Sequence, residues 1–132
     1  MKTRTNLIWL ALAIAIALGV TFMTRNSNRA AVDVRVPTLS AAATEGRELF
    51  NANCAACHGK HAAGTGNGPP LVHKIYEPGH HGDQAFFRAA RFGVRAHHWQ
   101  FGNMPPVSGV GQGEVAKIVS YIRELQRANG IF

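Results

Sequence analysis

The longest apolar stretch of the chain lies near its N-terminus. The residues from Leu7 to Met23 carry no charge, and Lys2 and Arg4 precede them. As a helix rising ~1.5 Å per residue, this stretch would span about 26 Å, near the lower limit for crossing the hydrocarbon core of a bilayer. A signal peptide ends at a small-x-small cleavage site, and no good site follows here. The pattern therefore predicts a membrane anchor within residues 1–24, with a signal sequence as the alternative.

A domain of three amphipathic helices is predicted after a polar segment. Residues 25–39 show no helical period and are predicted to form a flexible linker. Apolar residues then recur at intervals of three and four, which is typical of helices with one buried face. These helices are predicted over residues 41–53, 83–92 and 113–128, within a domain spanning residues 40–132. No segment predicts a convincing pair of strands, so the fold class is all-α.

Composition and charge narrow the classes of function. The chain is 46% hydrophobic and 16% charged, which excludes disorder over its whole length. Its two cysteines are too few for a small disulfide-stabilised scaffold. Fourteen Lys and Arg against seven Asp and Glu give a formal charge of +7, which favours an acidic partner or an anionic membrane. No nucleic-acid-binding motif accompanies this charge, so we expect no nucleic acid partner.

Both cysteines lie in the pentapeptide Cys54–His58, which has the pattern Cys-x-x-Cys-His. This pattern is typical of covalent c-type haem attachment. Two thiols three residues apart can reach the two vinyl groups on one porphyrin edge, and the next residue then offers an imidazole to the iron. A thioredoxin-like pair would need a preceding strand, and a zinc site would need four ligands. The motif therefore predicts one haem c attached through Cys54 and Cys57, with His58 as an axial ligand.

The second axial ligand is predicted to be Met104. It is the only methionine outside the apolar N-terminal region, and it precedes two prolines that restrict the backbone. His/Met ligation fills both axial positions and raises the potential relative to two imidazoles. His97 or His98 could serve as the second axial ligand instead. Met104 would then only fill space in the hydrophobic core.

Taken together, these motifs resemble those of a class I cytochrome c. Five segments carry the resemblance in order and rough spacing: Glu45–Phe50, Cys54–Gly59, Gly68–Leu71, Asn103–Pro106 and Ile118–Arg123. The resemblance implies a compact all-α fold in which the N- and C-terminal helices cross, with Gly46 and Phe50 facing Tyr121. It also implies that the carbonyl of Pro69, or of the adjacent Pro70, accepts a hydrogen bond from His58.

The resemblance also implies what the protein does. We expect a carrier that exchanges electrons between respiratory or photosynthetic partners, and neither an enzyme nor a binder of small-molecule substrates. Haem c attachment outside the cytoplasm places the domain in the periplasm, anchored to the bacterial inner membrane with a cytoplasmic N-terminus. Arg88, Arg91 and Arg95 are candidates for a basic face that docks an acidic redox partner.

Two alternatives remain open. One is a fixed haem subunit of a membrane oxidoreductase complex, in which another chain performs the catalysis. The other is a metal-handling or sensing haem protein, because histidines are unusually numerous for a small carrier. The residues that would serve this second role are His73, His80, His81, His97 and His98.

Overall fold

Helices make up most of the regular structure of the chain, as the sequence predicts. The structure is a computed structural model that describes residues 2–27 and 31–132, with side chains for residues 8–20 and 31–132. In the described part of the chain, β pairing consists of one antiparallel bridge between Val94 and Met104. The helices are α1 (Lys2–Ser27), α2 (Ala41–Asn53), the single turn α3 (Ala55–His58), α4 (Asp83–Phe92) and α5 (Gln112–Ala128), with short 3₁₀ turns at Lys60–Ala62 and Lys74–Tyr76.

The helix ends follow from local capping. The Ser40 hydroxyl accepts a hydrogen bond from the Ala43 backbone N–H at 3.2 Å, so it satisfies a free donor at the start of α2. Gly93 ends α4 with a φ of 75°, a conformation that favours glycine. The Glu114 carboxylate accepts from the Gly111 backbone N–H at 2.7 Å and caps α5, which begins one residue earlier than predicted.

The centre of the domain is the crossing of α2 and α5. The rings of Phe50 and Tyr121 are both fully buried and meet edge to face, with centroids 5.7 Å apart. Gly46 allows this approach, because a Cβ at its position would lie 2.0 Å from the Lys117 carbonyl oxygen. The crossing that the resemblance implies is therefore present, with Gly46 at its closest point.

Arg123 connects α5 to the loop that follows the second 3₁₀ turn. Its buried guanidinium donates to the carbonyls of Tyr76 at 2.7 Å and His81 at 2.6 Å, and to Asp83 Oδ1 at 2.8 Å. The fully buried Gln126 accepts another of its hydrogen bonds at 2.6 Å. The polypeptide from Tyr76 to Asp83 is thereby held against the helical core at several points.

Residues 31–39 lie against the domain, although they fall within the predicted flexible linker. The Val32 N–H donates to the Ala63 carbonyl at 2.8 Å. Arg35 exchanges two backbone hydrogen bonds with the Asn129 side chain, at 2.9 and 2.8 Å. Among the described residues, contacts with the domain therefore include Val32, ahead of the predicted boundary at Ser40.

The predicted anchor corresponds to most of α1. Its apolar side chains between Ile8 and Val20 are largely exposed, for example Trp9 at 68%. Met1 and the side chains of residues 2–7 and 21–24 lie outside the described part of the chain. In the part of the chain whose side chains the structure describes, no helix is both long enough and apolar enough to cross a membrane.

Candidate functional site

An apolar cavity of about 580 Å³ lies beside the helix crossing. Its size falls within the usual range for cofactor and small-ligand sites. Cys54, His58, Pro69 and Met104, all predicted as site residues, line it together. The fifth predicted residue, Cys57, is exposed and does not line the cavity. Residues from α2, α3, α4, α5 and the intervening loops thus converge on one space.

The Cys54–His58 segment forms a tight turn at the end of α2. The Cys54 N–H donates to the Phe50 carbonyl and its own carbonyl accepts from the His58 N–H at 2.9 Å, so α2 and α3 are nearly continuous. Neither cysteine is in a disulfide. Burial, and secondarily the neighbouring Cys57, raises the pKa of the Cys54 thiol to about 11. Neither sulfur is therefore used in a disulfide, and the Cys54 sulfur is the one at the cavity wall.

His58 is buried and its ring is held by one hydrogen bond. Its Nδ1 lies 2.9 Å from the Pro69 carbonyl oxygen. Because a carbonyl only accepts, Nδ1 carries the proton and Nε2 keeps its lone pair. Burial lowers the pKa of His58, and the bond to Pro69 raises it in part. The contact is made by Pro69 rather than by Pro70, and it prepares the neutral imidazole that a metal requires.

The Met104 loop is fixed to the C-terminal end of α4. Val94 and Met104 exchange two backbone hydrogen bonds of 2.9 Å, and the Val107 N–H donates to the Ala90 carbonyl at 2.8 Å. A Cβ at Gly93 would lie 2.4 Å from the Met104 carbonyl oxygen, so only glycine permits this approach. The sequence indicates the end of α4 at Gly93 but not that this glycine also holds the Met104 loop in place.

Trp99 supplies a feature of the site that sequence reasoning missed. Its ring packs between His73 and Phe101, with centroids 5.1 and 5.9 Å away, and it lines the cavity. Its indole N–H is buried and makes no hydrogen bond of good geometry among the described residues, although it interacts with the Tyr76 side chain closely enough to oppose in part the burial that raises the pKa of Tyr76. A buried donor without a partner costs about 1–3 kcal/mol. An occupant of the cavity that offers an acceptor, such as a haem carboxylate, would remove this cost.

The structure brings four of the five unusual histidines together at the cavity rim. His80, His81, His97 and His98 form a cluster in which neighbouring rings have centroids as close as 4.3 Å, between His97 and His98. Loss of hydration and the charges of the other three rings lower the pKa of His98. His73 is not part of this cluster and packs against Trp99 instead.

These residues fit a haem, and comparison with known proteins agrees. The cavity has an apolar wall, a thiol at Cys54, an oriented imidazole at His58, a thioether at Met104 and an unsatisfied donor at Trp99. A family model described as Cytochrome c matches residues 43–126, more than half of the chain. That match implies covalently bound haem c, and Cys54 and Cys57 have the spacing of the attachment motif. Searches of curated proteins and of solved structures find no match to this chain.

Proposed function

Because the chain belongs to the cytochrome c family, we propose that it carries electrons through one haem c, with His58 and Met104 as axial ligands. Members of this family are generally electron carriers rather than enzymes. The observation that carries the proposal is that His58 and Met104 line one apolar cavity with Cys54 at its wall. Bound haem supplies an iron centre that alternates between the ferric and ferrous states.

The residues of the chain then have distinct tasks. Cys54 and Cys57 hold the group covalently, and the Pro69 carbonyl keeps the His58 ring oriented. Met104, fixed by its bridge to Val94, would offer its thioether sulfur as the second axial ligand. Two permanent axial ligands leave no position for a substrate, which supports electron transfer rather than catalysis.

Carbon monoxide binding to the reduced protein tests the His/Met assignment. The wild-type ferrous protein should not bind carbon monoxide, and Met104→Ala should bind it because an axial position is opened. Met23→Ala, which removes a methionine from α1, is the matched control and should behave as wild type. Carbon monoxide binding by the wild type would indicate an open axial position, which excludes Met104 as a ligand and favours the sensing alternative. No binding by the Met104 variant would instead favour His97 or His98 as the ligand.

The proposal includes a tether to the bacterial inner membrane through α1, with the haem domain in the periplasm. The uncharged sequence from Leu7 to Met23 and the exposed apolar side chains between Ile8 and Val20 support it. Covalent haem attachment outside the cytoplasm, as the family implies, supports the orientation.

Truncation tests the tether. A chain that begins at Ala31 behind a cleavable signal peptide keeps the Val32 contact to Ala63, so its haem domain should stay intact. It should appear in the soluble periplasmic fraction with an unchanged haem spectrum, whereas the full chain should stay with membranes after a salt wash. A full-length chain in the soluble fraction would refute the tether.

Isolation of the full chain alone in mild detergent supports a mobile carrier, whereas isolation with other subunits supports the fixed-subunit alternative.

The docking face proposed for an acidic redox partner lies on α4 and its C-terminal loop. Arg88, Arg91 and Arg95 are exposed, and Arg88 and Arg95 also line the cavity. Phe92 is 66% exposed, and the Arg91 guanidinium lies 5.0 Å from the centroid of its ring. A basic rim around an apolar residue beside the haem cavity is suited to steering an acidic partner.

Charge reversal tests this face without knowledge of the partner. Arg88→Glu combined with Arg95→Glu should slow oxidation of the ferrous protein by ferricyanide about ten-fold at low salt, because the oxidant is anionic. The control is Arg127→Glu in α5, which does not line the cavity and should have a smaller effect for each charge reversed. Equal effects for each charge reversed would contradict a docking role for this face.

A further inference from the structure

The histidine cluster at the cavity rim contains a group of three with the spacing of metal ligands. One ring nitrogen from each of His80, His81 and His98 lies within 4.8 Å of those of the other two. The Nε2 atoms of His80 and His98 are only 3.2 Å apart. With bonds of about 2.0–2.1 Å to a tetrahedral ion, two nitrogen ligands are separated by roughly 3.3–3.4 Å. This pair is therefore already close to the separation that a bound ion would impose.

His81 has a hydrogen bond of the kind that orients metal-binding histidines. Its Nδ1 donates to the Ile75 carbonyl at 2.6 Å, which leaves Nε2 as the free nitrogen. Such a bond from the second ring nitrogen to a backbone carbonyl commonly fixes the tautomer of a metal ligand. The bond of His58 to Pro69 has the same form. The His81 ring is thus oriented with Nε2 as the nitrogen that can bind a metal.

The backbone beneath the cluster is also held in place. The buried Arg123 guanidinium binds the carbonyls of Tyr76 and His81, which fixes the loop that carries His80 and His81. On the other loop, the Ala96 N–H donates to the Asn103 side chain at 2.9 Å. The two His-His pairs, far apart in sequence, are therefore presented to each other by anchored segments.

We propose that His80, His81 and His98 form a second metal site, distinct from the haem iron, for a first-row transition-metal ion with affinity for imidazole. Imidazole ligands suit Cu²⁺ and Zn²⁺, whereas Mg²⁺ and Ca²⁺ prefer oxygen. Three protein ligands leave one tetrahedral position for water or an exchangeable group. The site lies at the edge of the haem cavity, because His81 and His98 line that cavity.

Metal titration of the full-length ferric holoprotein tests the site. After treatment with a chelator, the protein should bind one equivalent of Cu²⁺ or, in a separate titration, one equivalent of Zn²⁺. The two ions should compete for the same site, with Cu²⁺ bound more tightly, and Mg²⁺ should not bind. Equilibrium dialysis against a competing chelator measures the affinity, and the haem absorption reports that the haem site is unchanged. Keeping the haem ferric prevents it from reducing Cu²⁺. The absence of saturable binding of one equivalent would overturn the proposal.

Variants assign the ligands. His80→Gln and His98→Gln should each weaken Cu²⁺ binding by about a hundred-fold or more, since loss of an orienting partner alone costs 10–100-fold. His61→Gln removes an imidazole outside the cluster and should bind as wild type. Equal affinity in all three variants would refute the assignment. Electron paramagnetic resonance of the wild-type Cu²⁺ complex gives an independent result even if a variant does not accumulate. Three nitrogen ligands are expected, and fewer than three would refute the site.

Discussion

Gly46→Ala should destabilise the haem domain strongly, although alanine is the better helix former. Gly46 is a buried residue in the middle of α2, where it meets α5. The added Cβ would lie 2.0 Å from the Lys117 carbonyl oxygen, 2.5 Å from its carbonyl carbon and 3.1 Å from the Ile118 nitrogen. All three atoms belong to the backbone of α5, so no side-chain rotation can relieve the contact.

The magnitude follows from two opposed terms. Replacing a helical glycine by alanine gains about 1 kcal/mol in helix propensity. Against this, a carbon and an oxygen need roughly 3.3–3.6 Å between them even in a close contact, so the helices must separate by more than an ångström. That separation loosens the packing of Phe50 and Tyr121, and overpacking of a core costs typically 1–3 kcal/mol and sometimes more. Because the contact is with rigid backbone, the packing cost should reach the upper end of this range or exceed it, so we expect a net loss of about 2 kcal/mol or more in the free energy of unfolding.

Urea denaturation of the holoprotein, followed by haem absorbance and circular dichroism, measures this loss. Gly113→Ala is the matched control, because Gly113 is also in a helix but a Cβ there meets nothing within 4 Å. It should be neutral or stabilising by up to about 1 kcal/mol. A Gly46→Ala protein as stable as the Gly113→Ala protein would refute the argument that glycine is required for the crossing.

Three further substitutions test other parts of the structure. Arg123→Lys should lower the free energy of unfolding by about 1–3 kcal/mol in urea, because the single ammonium of lysine cannot replace every hydrogen bond of the guanidinium and would leave acceptors such as the His81 carbonyl unpaired; unchanged stability would contradict this. Trp99→Phe should destabilise the holoprotein in urea by about 1–3 kcal/mol if the indole N–H binds the haem, whereas an equally stable variant would show that it does not. Burial raises the pKa of Tyr121, so the unfolded chain loses this proton first and stability should fall as pH rises past about 10. In Tyr121→Phe that decline should be shallower, and an unchanged slope in denaturation measured between pH 9 and 11 would contradict it.

Local sequence signals predict the helices well because their ends are determined by neighbouring residues. The observed bounds of α2 and α4 equal the predicted ones, and α5 differs by one residue. Ser40 and Gly93 explain two of these ends through contacts made within a few residues. The Cys54–His58 motif is also local, so haem c is predicted from five consecutive residues.

The features that were not predicted depend on contacts between distant residues. The bridge that positions Met104 pairs it with Val94, and neither residue belongs to a run that alternates as a strand does. Arg123 donates a hydrogen bond to the His81 carbonyl, 42 residues away. A charged residue in a helical sequence does not indicate that its side chain will be buried against a distant loop. The sequence shows two His-His pairs, but only the fold brings His80 to His98. The docking of residues 31–39 likewise depends on Ala63 and Asn129, which lie far along the chain.

One haem held covalently through Cys54 and Cys57 is the feature on which the proposed electron transfer depends. Mass spectrometry of the denatured full-length protein, produced in a host that can mature c-type cytochromes, tests it most directly. The expected mass equals that of the polypeptide plus one haem, and the added haem mass should be absent when both cysteines are replaced by alanine. A wild-type mass equal to that of the bare polypeptide would contradict it.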